Sequence, residues 1–202
     1  MHSVMNSAPE SLRSRQLAET SRRLRAEARR LTAERGLGLG GFTVEEVCTE
    51  VGVSRRTFFN YFASKENAVL GIAARTDISD LDDAFLASRG DVLDALADLH
   101  IARWERMDMS PAEVPALVAA FTQAPQLVQH LLDIAAIGER EDATLVARRE
   151  GWPEGDPRAA IAVQLITALI RPTVSEYFAG TGEDFRTVMM RKLAIARAFF
   201  AA

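Results

Sequence analysis

Apolar residues recur along this chain at spacings of three, four and seven, and no stretch of any length alternates with period two. The pattern predicts helices throughout. From Ser14 to Arg35, Leu17, Leu24, Ala28 and Leu31 form one stripe, while Arg15, Arg22, Arg25 and Arg29 fall on other faces, open to solvent or to a phosphate backbone. Gly36 stops that helix. Thr43 and Glu46 have capping-box spacing and start a helix over Val44–Val51. Gly52 suits a sharp left-handed turn. Ser54 caps a helix from about Arg55 to Phe62, and Ser64 caps a third that runs through Leu70 to Ile78.

Beyond it, Asp91 opens a helix to about Met107. Ser110-Pro111-Ala112-Glu113 is a second capping box with proline at the first helical position. A long helix is expected from Pro125 to Arg149. Asp156-Pro157 opens an apolar one to Phe178, kinked at Pro172, and the last runs from Asp184 to Phe200. The expected fold class is all-α: a basic three-helix unit before a larger helical body, about nine helices in all. The expected boundaries are a disordered tail at 1–13, a first domain at 14–70 and a second at 71–202.

Charge sharpens this division. Residues 1–65 carry 11 Lys and Arg against seven Asp and Glu, a net +4, while residues 66–202 carry 13 against 21, a net −8. A basic third on an acidic chain suits a polyanion partner only at its N-terminal end. One cysteine and three histidines leave no basis for a disulfide framework or a histidine-rich metal site. The longest apolar stretch, Ala159 to Ile170, is shorter than the roughly 18 residues of a membrane span, and no signal peptide is visible. The expectation is a cytoplasmic protein with no membrane partner and no cofactor. Gly36 to Gly41 contains a formal G-x-G-x-x-G, but a charged helix precedes it where a dinucleotide site needs a strand, so it reads as a connector.

The informative segment is Thr43 to Leu70. Two short helices joined at Gly52 meet the packing demands of a helix-turn-helix: small Cys48 four residues before the glycine, and apolar Val47, Val51, Val53, Phe58 and Tyr61 facing inward. The second helix then presents Arg55, Arg56, Thr57 and Asn60, residue types that bond phosphates and base edges. Charge and motif together indicate DNA binding. Glu-x-x-His pairs, G-x-S-x-G, H-E-x-x-H and the P-loop pattern are absent from the sequence, so an enzyme is not expected.

The same residues carry a resemblance. Thr43-Val44-Glu45-Glu46-Val47, then Val51 through Glu66 with its Gly-Val-Ser turn, Thr-Phe-Phe run and Phe-Ala-Ser-Lys-Glu, resemble the tetracycline-repressor (TetR) family signature. The resemblance implies that Ser54, Arg55, Arg56 and Thr57 enter the major groove. Asn60 and Tyr61 would flank the strand, Lys65 would contact a phosphate, and Thr43 would bring its helix N-terminus to another. Phe59 stands where the family usually has tyrosine, and Cys48 replaces its usual alanine.

The resemblance further implies a homodimer on a double-stranded palindromic operator and a small-molecule effector of unknown identity. The last two helices would supply the dimer interface, with Ile161, Leu165, Ile166, Leu169, Val188, Leu193, Ala196 and Phe200 as candidates. Phe85, Trp104, Met107, Phe121 and His130 are candidate effector-pocket residues. Gln164 and Arg171, polar in an apolar helix, need partners in a ligand, in Glu176 or across a dimer. A repressor relieved by a ligand is the expectation. A regulator that activates, or that has no effector, is the alternative.

Overall fold

A computed structural model describes residues 12–35, 38–74, 78–180 and 182–200. Among them are ten α-helices and no strand. These are α1 (Leu12–Glu34), α2 (Val44–Val51), α3 (Arg55–Tyr61), α4 (Lys65–Leu70) and α5 (Ser79–Ala87). After them come α6 (Val92–Met107), α7 (Val114–Gln123), α8 (Gln126–Glu150), α9 (Pro157–Phe178) and α10 (Phe185–Phe200). The fold class is all-α, as expected. The expected tail falls almost wholly outside the described residues, as does the stop at Gly36; the connector after it closes as a 3-10 turn over Gly38–Gly41. None of the described helices is long and apolar enough to cross a membrane.

Two cores organise the helices. The first gathers Leu24, Ala28 and Leu31 of α1 with Val47, Cys48 and Val51 of α2, Phe58 of α3, and Ala68, Val69 and Leu70 of α4. It also takes Ala120 of α7, Ala124 from the turn between α7 and α8, and Leu127 of α8, so its apolar packing crosses residue 70. Leu17, expected on the α1 stripe, is exposed. The second core joins α5, α6, α8, α9 and α10 around Leu96, Ile101, Val146, Val163, Ile166 and Met189.

Two expectations for α4 and α5 need correction. The helix capped by Ser64 ends at Leu70, not Ile78, because Gly71 adopts φ 82° and closes it. A left-handed residue terminates the hydrogen-bond ladder, and its N–H turns back to Asn67 O at 2.8 Å. The following helix, α5, was not foreseen. Pro172 lies inside α9, which runs through it to Phe178.

The arginines of α1 also depart from expectation. Arg22 is half-exposed, but Arg25 and Arg29 are 2% and 1% exposed. Burial of a guanidinium demands partners, and α1 finds them in α4 and at and beyond the end of α6. Arg25 donates to Met107 O at 2.6 Å, to Asp108 O at 2.9 Å and to the Glu113 carboxylate. Arg29 donates to Val69 O at 2.7 Å and to Glu113 at 2.8 Å. Burial holds the Arg29 pKa below its usual value, against the pull of Glu113. Glu113 is the third residue of the second capping box, and its other task is to close that box on Ser110 N–H at 3.0 Å.

The second core encloses its own charged cluster. Arg103 bonds Asp142 at 2.9 Å and Asp82 at 2.7 Å. His100 sits beside it, with Nε2 3.4 Å from Asp142 but without hydrogen-bond geometry. Burial, opposed by Asp142 and reinforced by Arg103, holds His100 down to about 4. An unfolded histidine takes a proton near pH 6.5, so between those values the unfolded chain binds the extra proton and stability is lost as pH falls. The expected loss between pH 7.5 and 5.5 is about 1.4 kcal/mol from this residue. Urea unfolding at both values, repeated with His100→Gln, checks it: the variant should show a smaller difference, and an unchanged difference would exclude His100 as the source.

Candidate nucleic-acid interface

The site is built from caps. Thr43 accepts from Glu46 N–H at 3.2 Å, and Glu46 accepts from Thr43 N–H at 2.7 Å, which starts α2 where the spacing predicts. Arg35 donates to the same Glu46 at 2.6 Å. These contacts hold the Glu46 carboxyl below its ordinary range, led by the bond from Arg35. Gly52 ends α2 at φ 76°, with its N–H on Cys48 O at 2.9 Å. A side chain there would be strained by that backbone, although the space is open. Ser54 Oγ accepts from Thr57 N–H at 3.0 Å and lies 2.8 Å from the Thr57 hydroxyl, which fixes the first turn of α3.

Packing then aims α3. Phe58 is wholly buried, edge-on to Phe59 at 5.4 Å and tilted against Phe62 at 5.9 Å. Val47, Val51 and Phe58 lie in the core, and Val53 and Tyr61 pack on it, as the helix-turn-helix pattern requires. Cys48 is buried, and burial raises its thiol pKa, which suits packing better than reactivity. With that face fixed inward, Arg55, Arg56 and Asn60 are exposed on the other. The Arg55 guanidinium pairs with Glu45 of α2 at 2.5 Å and lies 5.8 Å from the Phe59 ring centre. Arg56 has no ion-pair partner among the described residues, so its charge is uncommitted.

The remaining expected contacts are more enclosed. The Lys65 ammonium bonds Phe42 O at 3.0 Å and lies over the Phe42 ring at 5.1 Å. It therefore ties the start of α4 to the residue before Thr43, and the two helix N-termini share one edge of the domain. Tyr61 is half-buried against the first core, and its carbonyl accepts from Ala74 N–H at 2.8 Å. Thr57 spends its hydroxyl on the cap. The structure thus brings Thr43 and Lys65 together at one edge and exposes Arg55, Arg56 and Asn60 on the outer face of α3.

The candidate effector residues do not line one cavity. Phe85 is buried in the second core, under the Arg149 guanidinium at 5.4 Å. Phe121 packs on the first core instead. His130 reaches from α8 to α4, where its Nε2 donates to Asn67 Oδ1 at 2.7 Å. Trp104 stacks on Phe185 at 4.4 Å, with Tyr177 and Phe178 edge-on at 5.7 Å. Met107 is half-buried at the end of α6, where its carbonyl serves Arg25. Single apolar residues on separate helices gave no sign of which would converge.

The interface candidates also divide. Ile161 and Leu165 are exposed on α9, but Val188, Leu193 and Ile166 lie in the chain's own interior and have no surface to offer a partner. Leu169 packs on the second core. The Phe200 side chain lies outside the described residues. Gln164 and Arg171 are exposed. Sequence reasoning missed Ile195 and Phe199, exposed on α10. It also missed the Arg25–Arg29–Glu113 cluster. Its only local sign is two arginines four apart at the edge of the buried stripe.

Residues 24–70, which run from the first buried leucine of α1 to the last residue of α4, match the family described as bacterial regulatory proteins, tetR family. The HTH-type transcriptional regulator TcmR of Streptomyces glaucescens is 43% identical over 77 residues, 38% of this chain and 31% of TcmR. The match therefore spans under a third of that relative's length. With α2 and α3 capped, crossed at Gly52 and packed through Phe58 inside the matching residues, the N-terminal part of the chain is similar to the tetR family of bacterial regulatory proteins.

Proposed function

We propose that this protein is a sequence-specific transcriptional repressor that binds a palindromic DNA operator as a homodimer and leaves it when a small molecule binds the helical body. The observation that carries the reading is the exposed outer face of α3, with Arg55, Arg56 and Asn60 held on a helix whose opposite face is locked by Phe58. A major groove about 12 Å wide admits such a helix. The shared edge of Thr43 and Lys65 supports a phosphate contact beside it, since helix N-termini favour anions. In this reading residues 14–70 are the reading head, residues 71–202 carry effector binding and dimerisation, and the place of action is the bacterial cytoplasm.

Ile161 and Leu165 on α9 with Ile195 and Phe199 on α10 support dimerisation, since apolar side chains grouped on two neighbouring helices favour a covered surface. A two-fold dimer sets the half-sites about 34 Å or a multiple apart. Release follows if the effector prefers a conformation in which the two heads no longer match that spacing.

Selection of bound sequences from random duplex DNA tests the reading, repeated with Arg56→Ala at fixed salt. The expected result is a palindromic site and, in the variant, preference relaxed at one base pair by about 1–3 kcal/mol. Uniform weakening across sequences would make Arg56 a phosphate contact. No enriched sequence from purified dimer would overturn sequence-specific reading.

A further inference from the structure

A cleft of about 420 Å³ opens between the end of α6, the turn at Asp108–Pro111 and the start of α10. Three aromatic rings line it. Trp104 and Phe185 are stacked nearly parallel at 4.4 Å, and Tyr177 stands edge-on to both, at 5.7 and 6.2 Å. Three carboxylates line it too: Glu105, Asp108 and Asp184. Glu105 is exposed and has no ion-pair partner among the described residues. The cationic side chain in the lining, Arg186, is drawn to Asp98 at 2.6 Å. Asp108 pairs with Arg22 at 3.4 Å, which leaves Glu105 and Asp184 to give the cleft an excess of negative charge beside its apolar aromatic walls.

That chemistry selects against anions and favours a cation with an apolar body, because an ammonium gains from the carboxylates while its body covers the aromatic wall. We propose that this cleft is a binding site for a lipophilic organic cation, with its body against Trp104, Tyr177 and Phe185 and its ammonium group toward Glu105. The site adjoins the domain seam, since the carbonyl of Asp108, in the turn that forms one wall, accepts from buried Arg25 at 2.9 Å. Binding stands on the cleft alone; only its effect on DNA rests on the release reading above.

Calorimetric titration of the full chain at pH 7.5 with 4-phenylbutylamine, 4-phenylbutan-1-ol and 4-phenylbutanoate tests it, because the three share one body and differ in charge. The amine should bind about tenfold tighter than the alcohol, and the carboxylate weakest. Glu105→Gln should weaken the amine by about threefold or more and leave the alcohol unchanged. In a Trp152→Phe chain, where Trp104 alone fluoresces, the amine should change the emission. Equal binding of amine and alcohol, no binding of the amine, or indifference of the amine to Glu105→Gln would each overturn the site. Adding the amine to the DNA complex separates the two readings: amine bound in the cleft with DNA affinity unchanged supports the site and counts against release by this ligand.

Discussion

Replacing Glu113 with alanine is expected to cost about 3–5 kcal/mol of folding stability, the range for breaking a buried ion pair from one side. The magnitude comes from what is left behind. Arg25 and Arg29 are almost completely buried, and both lean on the one carboxylate. Without it, two guanidinium groups face each other in a dry seam, and Arg29, whose charged form burial already disfavours, loses its counter-charge. Ser110 N–H also loses its acceptor. Urea unfolding of Glu113→Ala gives the measurement through its midpoint. Replacing all three groups together, with Arg25→Met, Arg29→Met and Glu113→Leu, should recover much of the loss, because an apolar set needs no compensation. A single variant within about 0.5 kcal/mol of the parent would mean that water reaches the seam and screens the pair.

Phe58→Ala should be comparably damaging, at about 3–5 kcal/mol. Phe58 is fully buried and fills the space between α2, α3 and α4, edge-on to Phe59 and against Phe62. The seven-residue α3 is too short to hold its angle by itself. Losing the ring would leave a cavity and free the helix that carries Arg55 and Arg56. DNA affinity should therefore fall even at temperatures where the variant remains folded, and Phe58→Leu should lose less of both. Unfolding midpoints and DNA titration of the two variants measure this. Full DNA affinity in a folded Phe58→Ala chain would show that α3 is aimed by its caps instead.

The sequence was most legible where the determinants lie close together in it. Thr43, Glu46 and Gly52 fix both ends of α2 within ten residues, and the helix spans Val44–Val51 as their spacing predicts. Ser54 and Phe58 do the same for α3. Local signals were also misread: Gly71 stops α4, but the helical pattern on either side suggested continuation. Partners far along the chain were not legible at all. Arg25 and Arg29 look solvated until Glu113, more than 80 residues away, is placed beside them. Val188 and Leu193 are apolar on α10, yet periodicity cannot say whether an apolar face meets its own chain or another. The aromatic group of Trp104, Tyr177, Phe178 and Phe185 comes from three helices, and its convergence is a property of their packing.

The first core draws Ala120, Ala124 and Leu127 from α7, α8 and the turn between them into the packing around Phe58. An N-terminal unit that completes its interior with side chains from α7 and α8 has no separate unfolding transition to call its own. Heat or denaturant should melt both halves at one midpoint, and amide protons in the middle of α1 should exchange only through global opening. Damage anywhere in the body therefore reaches that unit as lost population of the folded chain, so loss-of-binding variants far from α3 reflect fewer intact molecules before they reflect altered reading.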